Sequence, residues 1–343
     1  MKKYLFGGAW LLLTLSSCEK DEPNTPDPVD PGVQNVLISN EGNFQAGNAS
    51  LGVYNLETET YAAKVFEARN GRPLGDVLQS INKINNRLYL VVNNSGKIEV
   101  LNPEDYSSTA TISGLSSPRF ILGVGNSLAY VSDLYSDSLA VVDLSTNTID
   151  HYINISTNSE RMLKVGNKVY VGHGYKTVSG VSVIDITTET VSKVIPTADY
   201  PLAMEQDKDG NVWVLCGGDA FNGTPGALEV IDPATDSNIK QLDLNGSSYI
   251  NQMVFNEDRD SLYVLTDAVY KMSVSATGVP STPLIKDENR SFNGMGFFSD
   301  RQELWLGDDK AFSQEGEVLI YSRSGKVKSS FGTGVGPNGF YFD

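Results

Sequence analysis

Short apolar runs separated by polar turns recur along most of this chain. Each unit has a polar turn, an apolar strand with an aromatic or aliphatic centre, a variable loop, and a second apolar strand ending in Asp or Asn. The first strands centre on Leu37, Tyr89, Ala129, Tyr170, Trp213, Tyr263 and Trp305. The second strands cover residues 51–55, 98–102, 139–143, 181–185 and 228–232, with weaker copies at 269–274 and 318–321. Successive first strands lie roughly 40 to 52 residues apart, the period of a four-stranded propeller blade. A small sheet with two apolar faces cannot bury both alone, so such units pack face to face. Short strands with Gly, Asn and Asp turns also suit a sandwich, but a sandwich has no reason to repeat seven times.

The pattern therefore predicts an all-β, seven-bladed β-propeller over residues 35–343. Its end is informative: Gly339-Phe340-Tyr341-Phe342 is a lone strand with no blade after it, and the first blade lacks the matching strand at its own start. The C-terminal strand is expected to complete the blade begun by residues 36–66, closing the ring. No strong helical periodicity is seen beyond the N-terminus.

The first residues have a different pattern. Lys2 and Lys3 precede an apolar run, residues 5–15, too short to span a bilayer but the length of a signal-peptide core. Leu15-Ser16-Ser17-Cys18 resembles a bacterial lipobox, which makes residues 1–17 a signal peptide and Cys18 the lipidated first residue. Residues 18–34, rich in Asp, Glu and Pro, read as a tether that cannot bury enough surface to order itself. The acidic cluster at residues 19–22 resembles the export signal of Bacteroidetes surface lipoproteins. Outer-membrane anchoring through Cys18, facing the exterior, is the expectation; a generic periplasmic linker is the alternative.

Once the strands are placed, the connections sort into two sets. One is short and built from ordinary turn residues. The other is longer and irregular, and propeller topology brings it all to one face, where function concentrates. That face collects Phe44, Tyr135, Tyr175, Tyr200, Phe221, Tyr249, Phe292 and Phe312, together with Arg72, Arg119, Arg161 and Arg290. Aromatics supply stacking area at low entropic cost, and Arg and Asn supply directed hydrogen bonds, a mix suited to binding. Some of these rings could instead plug the central channel or cover blade edges.

Composition narrows the chemistry. A net charge of −16 argues against nucleic-acid binding. Of two cysteines, Cys216 has only the lipidated Cys18 as a partner, so no structural disulfide is expected. The two histidines are His151, on an outer strand, and His173, on the loop-rich face, where a ligand contact or a polar loop role are both open. No His or Cys spacing suits a metal. Residues 207–211 have a calcium-loop flavour but no Glu at the right distance, so a turn is expected. No nucleophile elbow or phosphate loop is seen. The sequence gives catalysis, metal and cofactor no positive support.

The stretch NEGNFQAGNASLGVYN from Asn40, followed by FEARNGRPLGDVLQSINKINNRLYLVVNNSGKIEV, resembles a family of Bacteroidetes YncE-like surface lipoproteins with seven-bladed propellers. One branch, the BtuG-type proteins, captures cobalamin at the cell surface above a TonB-dependent transporter. Asn40, Glu41, Asn43, Phe44, Asn70, Arg72, Asp76, Asn93, Asn94 and Lys97 stand at the matching positions. The resemblance implies a surface binding protein, not an enzyme, with a corrinoid as cargo rather than cofactor and such a transporter as partner. A glycan- or protein-binding adhesion module is the rival, and a lactonase- or lyase-like propeller enzyme a third.

Overall fold

The computed structural model describes residues 34–174, 179–244 and 252–342. The first blade holds β1 (Asn35–Asn40), β2 (Ser50–Asn55) and β3 (Thr60–Ala62), followed by a short helix, α1 (Val65–Asn70). The second holds β4 (Leu78–Ile84), β5 (Arg87–Val92), β6 (Lys97–Leu101) and β7 (Ser108–Ile112). The third holds β8 (Pro118–Gly123), β9 (Leu128–Asp133), β10 (Ser138–Asp143) and β11 (Thr148–Asn154). The fourth has β12 (Ser159–Val165), β13 (Lys168–His173), β14 (Gly180–Asp185) and β15 (Thr190–Pro196). The fifth has β16 (Pro201–Gln206), β17 (Val212–Cys216), β18 (Ala227–Asp232) and β19 (Ser237–Asp243). The sixth has β20 (Gln252–Phe255), β21 (Ser261–Leu265) and β22 (Val269–Ser273). The seventh has β23 (Phe292–Phe298), β24 (Glu303–Asp308), β25 (Glu317–Ser322) and β26 (Val327–Gly332), and β27 (Pro337–Phe342) returns to the first.

Every sheet is an antiparallel meander, and β27 pairs with β1 as the innermost strand of the first blade, Leu37 opposite Tyr341. The expected closure is therefore present. Two features depart from the pattern. The sixth sheet has three strands among the described residues, with only an isolated bridge from Val269 to Ile285 beyond β22. And α1 interrupts the first crossover, pinned by buried Val65 and Phe66 although its sequence has no helical period.

What holds the ring together is visible in the second strand of each blade. Tyr89, Tyr130, Tyr170, Trp213, Tyr263 and Trp305 occupy equivalent places, all buried, with Leu37 in the first blade. Each packs across a blade boundary. Tyr89 meets Ala129 and Val131 of the next blade, Trp213 meets Leu262, and Trp305 meets Val36. The core is thus seven clusters between blades rather than one centre. Each fully buried ring contributes about 2–3 kcal/mol. The polar tips are satisfied too: Tyr170 bonds Asp236 of the next blade, and Trp213 Nε1 donates to Asp207 of its own blade at 2.8 Å.

The outer strands manage their open edges. Bulges interrupt β7, β11, β15, β19 and β26 at the same place against their neighbours. Such bulges twist an edge away from further pairing.

Candidate functional site

The innermost strands, β4, β8, β12, β16, β20, β23 and β27, contact one another in a closed circle. They surround a channel with a cavity of about 970 Å³. Six of them carry a bulge one residue after they begin, so that Gln79, Arg119, Glu160, Leu202, Asn293 and Asn338 leave the regular ladder. A bulge re-aims a side chain, and all six residues line the channel. Five of the six are polar, so the repeated irregularity builds a largely polar belt, with Leu202 as its apolar member, at the end of the channel nearest the long loops.

Bonds link the belt from blade to blade. Asn338 Nδ2 donates to Glu41 Oε1 at 2.8 Å and to the carbonyls of Leu78 and Gln79 at 3.2 and 3.3 Å. The Gln79 side chain accepts from Arg119, whose Nε donates to Glu160 Oε2 at 2.8 Å. Deeper, Arg259 pairs with Glu205 at 3.3 Å. Arg161 lies over the Phe120 ring, 4.0 Å from its centre. Burial pushes the pKa of Glu41 up, against the Asn338 bond and Arg119. Burial likewise raises Glu205, against Arg259 and Arg161, and lowers Arg161. The Asn293 side chain also faces Glu41 and works against that rise.

The loops joining second to third strands open on the belt end of the channel. Phe44, Tyr135 and Phe221 project from three of them and are 68%, 65% and 89% exposed. Phe312 lines the mouth from a fourth. Its backbone is unusual: Lys310, Ala311 and Phe312 all have φ between 50° and 56°, a left-handed turn without glycine. The turn is held by several bonds. Asn43 Nδ2 donates to the Phe312 carbonyl at 2.8 Å, and Asp309 accepts from the Ala311 amide. Lys310 and Arg290 share Asp308 and Glu317. Gly336 has φ 66°, and a Cβ there would lie 2.4 Å from the Phe312 ring, so the ring needs a glycine beside it.

The structure brings Glu41, Asn43, Phe44, Asn93, Arg119, Arg161 and Phe312 together around the channel. Other expected site residues serve the scaffold. Asn40 accepts from Thr333 and donates to Tyr61. Arg72 grips Glu99 through two bonds, at 2.9 and 2.8 Å, and lies over Phe66, fastening α1 to β6. Asp76 is tied to the Gln45 amide and to Asn94. Phe292 is no loop residue: it begins β23, is 8% exposed, and packs between the sixth and seventh blades. His173 ends β13 at 4% exposure, its Nε2 2.8 Å from Ser182 Oγ, so it is not a free loop side chain. Tyr200 sits before β16 with φ 58°, its carbonyl bonded by the Gly217 amide. Tyr175, Tyr249 and the expected lipid site Cys18 lie outside the described residues.

His151 is on the outer strand β11, between Asp150 and Glu189. Asp207 caps its own turn and Trp213, as a turn residue does. Gln79, Glu160, Glu205, Asn293 and Asn338 were not singled out by the sequence. Gln79, Glu160, Asn293 and Asn338 share one signal, a polar residue just inside the start of an inner strand, whereas Glu205 stands near the end of β16.

Over residues 34–297 the sequence matches the family described as Domain of unknown function (DUF5074). No curated protein matches it. Among solved structures, a quinonprotein alcohol dehydrogenase-like protein from Bacteroides thetaiotaomicron VPI-5482 superposes with TM-score 0.70 at 18% identity, covering 89% of this chain and 78% of that one. A candidate 6-phosphogluconolactonase from Bacteroides fragilis NCTC 9343 gives 0.66 at 10% identity, over 95% and 100%. Kuenenia stuttgartiensis hydrazine synthase gives 0.65 at 17% identity, over 76% and 91%. At these identities the likeness is one of fold.

Proposed function

The chain belongs to the DUF5074 family, and on that footing we propose that it is a ligand-binding propeller which captures cobalamin or another corrinoid at its channel mouth. The observation that carries this reading is the pairing of exposed rings with an amide- and carboxyl-rich belt on one face. Phe44, Tyr135 and Phe221 are rings left in water on loops of a rigid scaffold. Leaving them there forgoes burial worth about 2 kcal/mol each, which suits a face that a ligand covers. Beneath them stand Glu41, Gln79, Asn293 and Asn338. A corrin offers an apolar plane for the rings and a rim of amides for the belt. The ligand is cargo, and its onward partner in this reading is a TonB-dependent outer-membrane transporter. Lipidation at Cys18 would keep the mouth beside it.

A propeller enzyme is the third reading, and the channel carboxylates such a reading would call on are engaged by Arg and Asn. The direct test mixes purified protein with cobalamin and desalts it. Coloured protein with a calorimetric heat near one ligand per chain is expected. Colourless protein without heat overturns the reading, and binding on a glycan array in its place would favour the adhesion alternative. For the anchor, labelled palmitate should enter the wild-type protein and not C18S, and protease added to whole cells should remove it.

A further inference from the structure

Three guanidinium groups face the channel, and two are matched. Arg119 bonds Glu160 and Gln79, and Arg259 bonds Glu205 and the Gln206 carbonyl at 2.6 Å. Each of those pairs cancels one charge against another. Arg161 makes no hydrogen bond or ion pair among the described residues; its contact is the Phe120 ring beneath it. Glu160 and Glu205 lie near enough to favour its charge but accept none of its N–H groups. The ring fixes the guanidinium plane, and a fixed planar fork of free donors matches an oxyanion in two-point geometry. Beside a cavity of about 970 Å³, such a fork has room for a guest.

We propose that Arg161, stacked on Phe120, is an oxyanion seat inside the channel that takes a phosphate or carboxylate group of a bound molecule. The seat shares its channel with the corrinoid reading but does not need that ligand. The oxyanion could be a free anion or part of a larger guest, and cobalamin carries a phosphodiester that cobinamide lacks.

Phenylglyoxal modification of Arg161 in the full chain, followed by peptide mass spectrometry, tests the seat. Millimolar inorganic phosphate should slow modification roughly twofold or more against chloride of equal ionic strength, as expected when occupancy passes one half. The exposed Arg87 is the control and should not change. Protection by cobalamin and not cobinamide would identify the seat's oxyanion as the ligand's own. Protection by phosphate alone keeps the seat, and if cobalamin also fails to bind, only the corrinoid reading falls. Equal rates at Arg161 in phosphate and chloride, or equal slowing at Arg87, overturn the seat. The comparison uses wild-type protein, so it does not depend on a variant folding.

Discussion

The Asn338 carboxamide donates to the Glu41 carboxylate at 2.8 Å, joining residues 297 positions apart. The same carboxamide accepts from Ser39 Oγ and donates to two carbonyls of the second blade. One side chain thus binds the last strand, the first strand and the start of the next blade. It closes the ring and also orients an acid at the channel mouth.

Replacing Asn338 with Leu should leave Glu41 and Ser39 without that partner in a semi-buried place. A loss of about 2–3 kcal/mol is expected, the cost of stranding polar groups rather than of one average bond. The urea midpoint of N338L against wild type measures it. An unchanged midpoint would mean that the closure does not depend on this bond.

Trp305 tests the apolar half of the closure. It meets Tyr54, Phe331, Phe340 and Phe342 at ring-centre distances of 5.4 to 5.9 Å. W305A should cost about 3–5 kcal/mol, as a cavity at a fully buried ring does. W305F should cost well under half of that. Thermal unfolding of both variants separates ring volume from the indole itself.

The repeat was legible because burial on two faces forces it. Tyr89, Tyr130, Tyr170, Trp213, Tyr263 and Trp305 recur where a wedge between blades is needed. Closure was legible too, because residues 339–342 had no other blade to complete. The belt was not. Whether Gln79 or Asn293 points into the channel depends on a bulge of one residue, and nothing in a single strand's composition announces it. Loop placement misled for the opposite reason. Phe292 follows polar residues and looks like a loop ring, yet the strand starts at it and carries it into the core. Arg72 looked like a binding arginine, but its carboxylate partner, Glu99, is 27 residues away in an apolar strand.

Ala311 sits in the middle of the left-handed turn, with φ 53°. Left-handed backbone costs an L residue about 1–2 kcal/mol, while glycine's extra freedom in the unfolded chain costs roughly 0.5–1 kcal/mol. A311G should therefore be neutral or stabilising by up to about 1 kcal/mol, the reverse of its usual sign. A calorimetric Tm below wild type would refute this account of the turn.

Phe44 and Phe221 are exposed, so truncation should cost little in folding, within about 0.5 kcal/mol. If they face the ligand, F44A and F221A should each weaken cobalamin about three- to tenfold, the worth of one aromatic contact. Calorimetric titration of both variants gives the answer. Full affinity in both would move the binding surface elsewhere.

Stability should peak on the acid side of neutrality, because two sets of carboxyls pull in opposite directions. Burial would raise Glu99, but Arg72 and Lys97 outweigh it and hold its pKa at about 2, against an ordinary 4.5. Glu317 is held at about 2 in the same way, burial being overcome by Arg290, Ser330 and Lys310. The unfolded chain takes up these protons first, so this stabilisation is complete above pH 4.5 and is lost as pH falls toward 2. For Glu99 the loss is about 2 kcal/mol once the exposed Arg72 partner is discounted. Glu41 and Glu205 are raised by burial, so the folded protein holds their protons longer. Their contribution is present below pH 4.5 and falls as pH rises through their folded values. Urea midpoints across pH 3 to 8 should therefore pass through a maximum near pH 5, roughly where the two sets cross. E99Q should flatten the acid limb alone. E41Q, which still accepts from Asn338, should flatten the other limb alone. A profile that rises steadily to pH 8 in the wild type would show that the channel acids are solvated, and with them that the belt is wetter than its geometry implies.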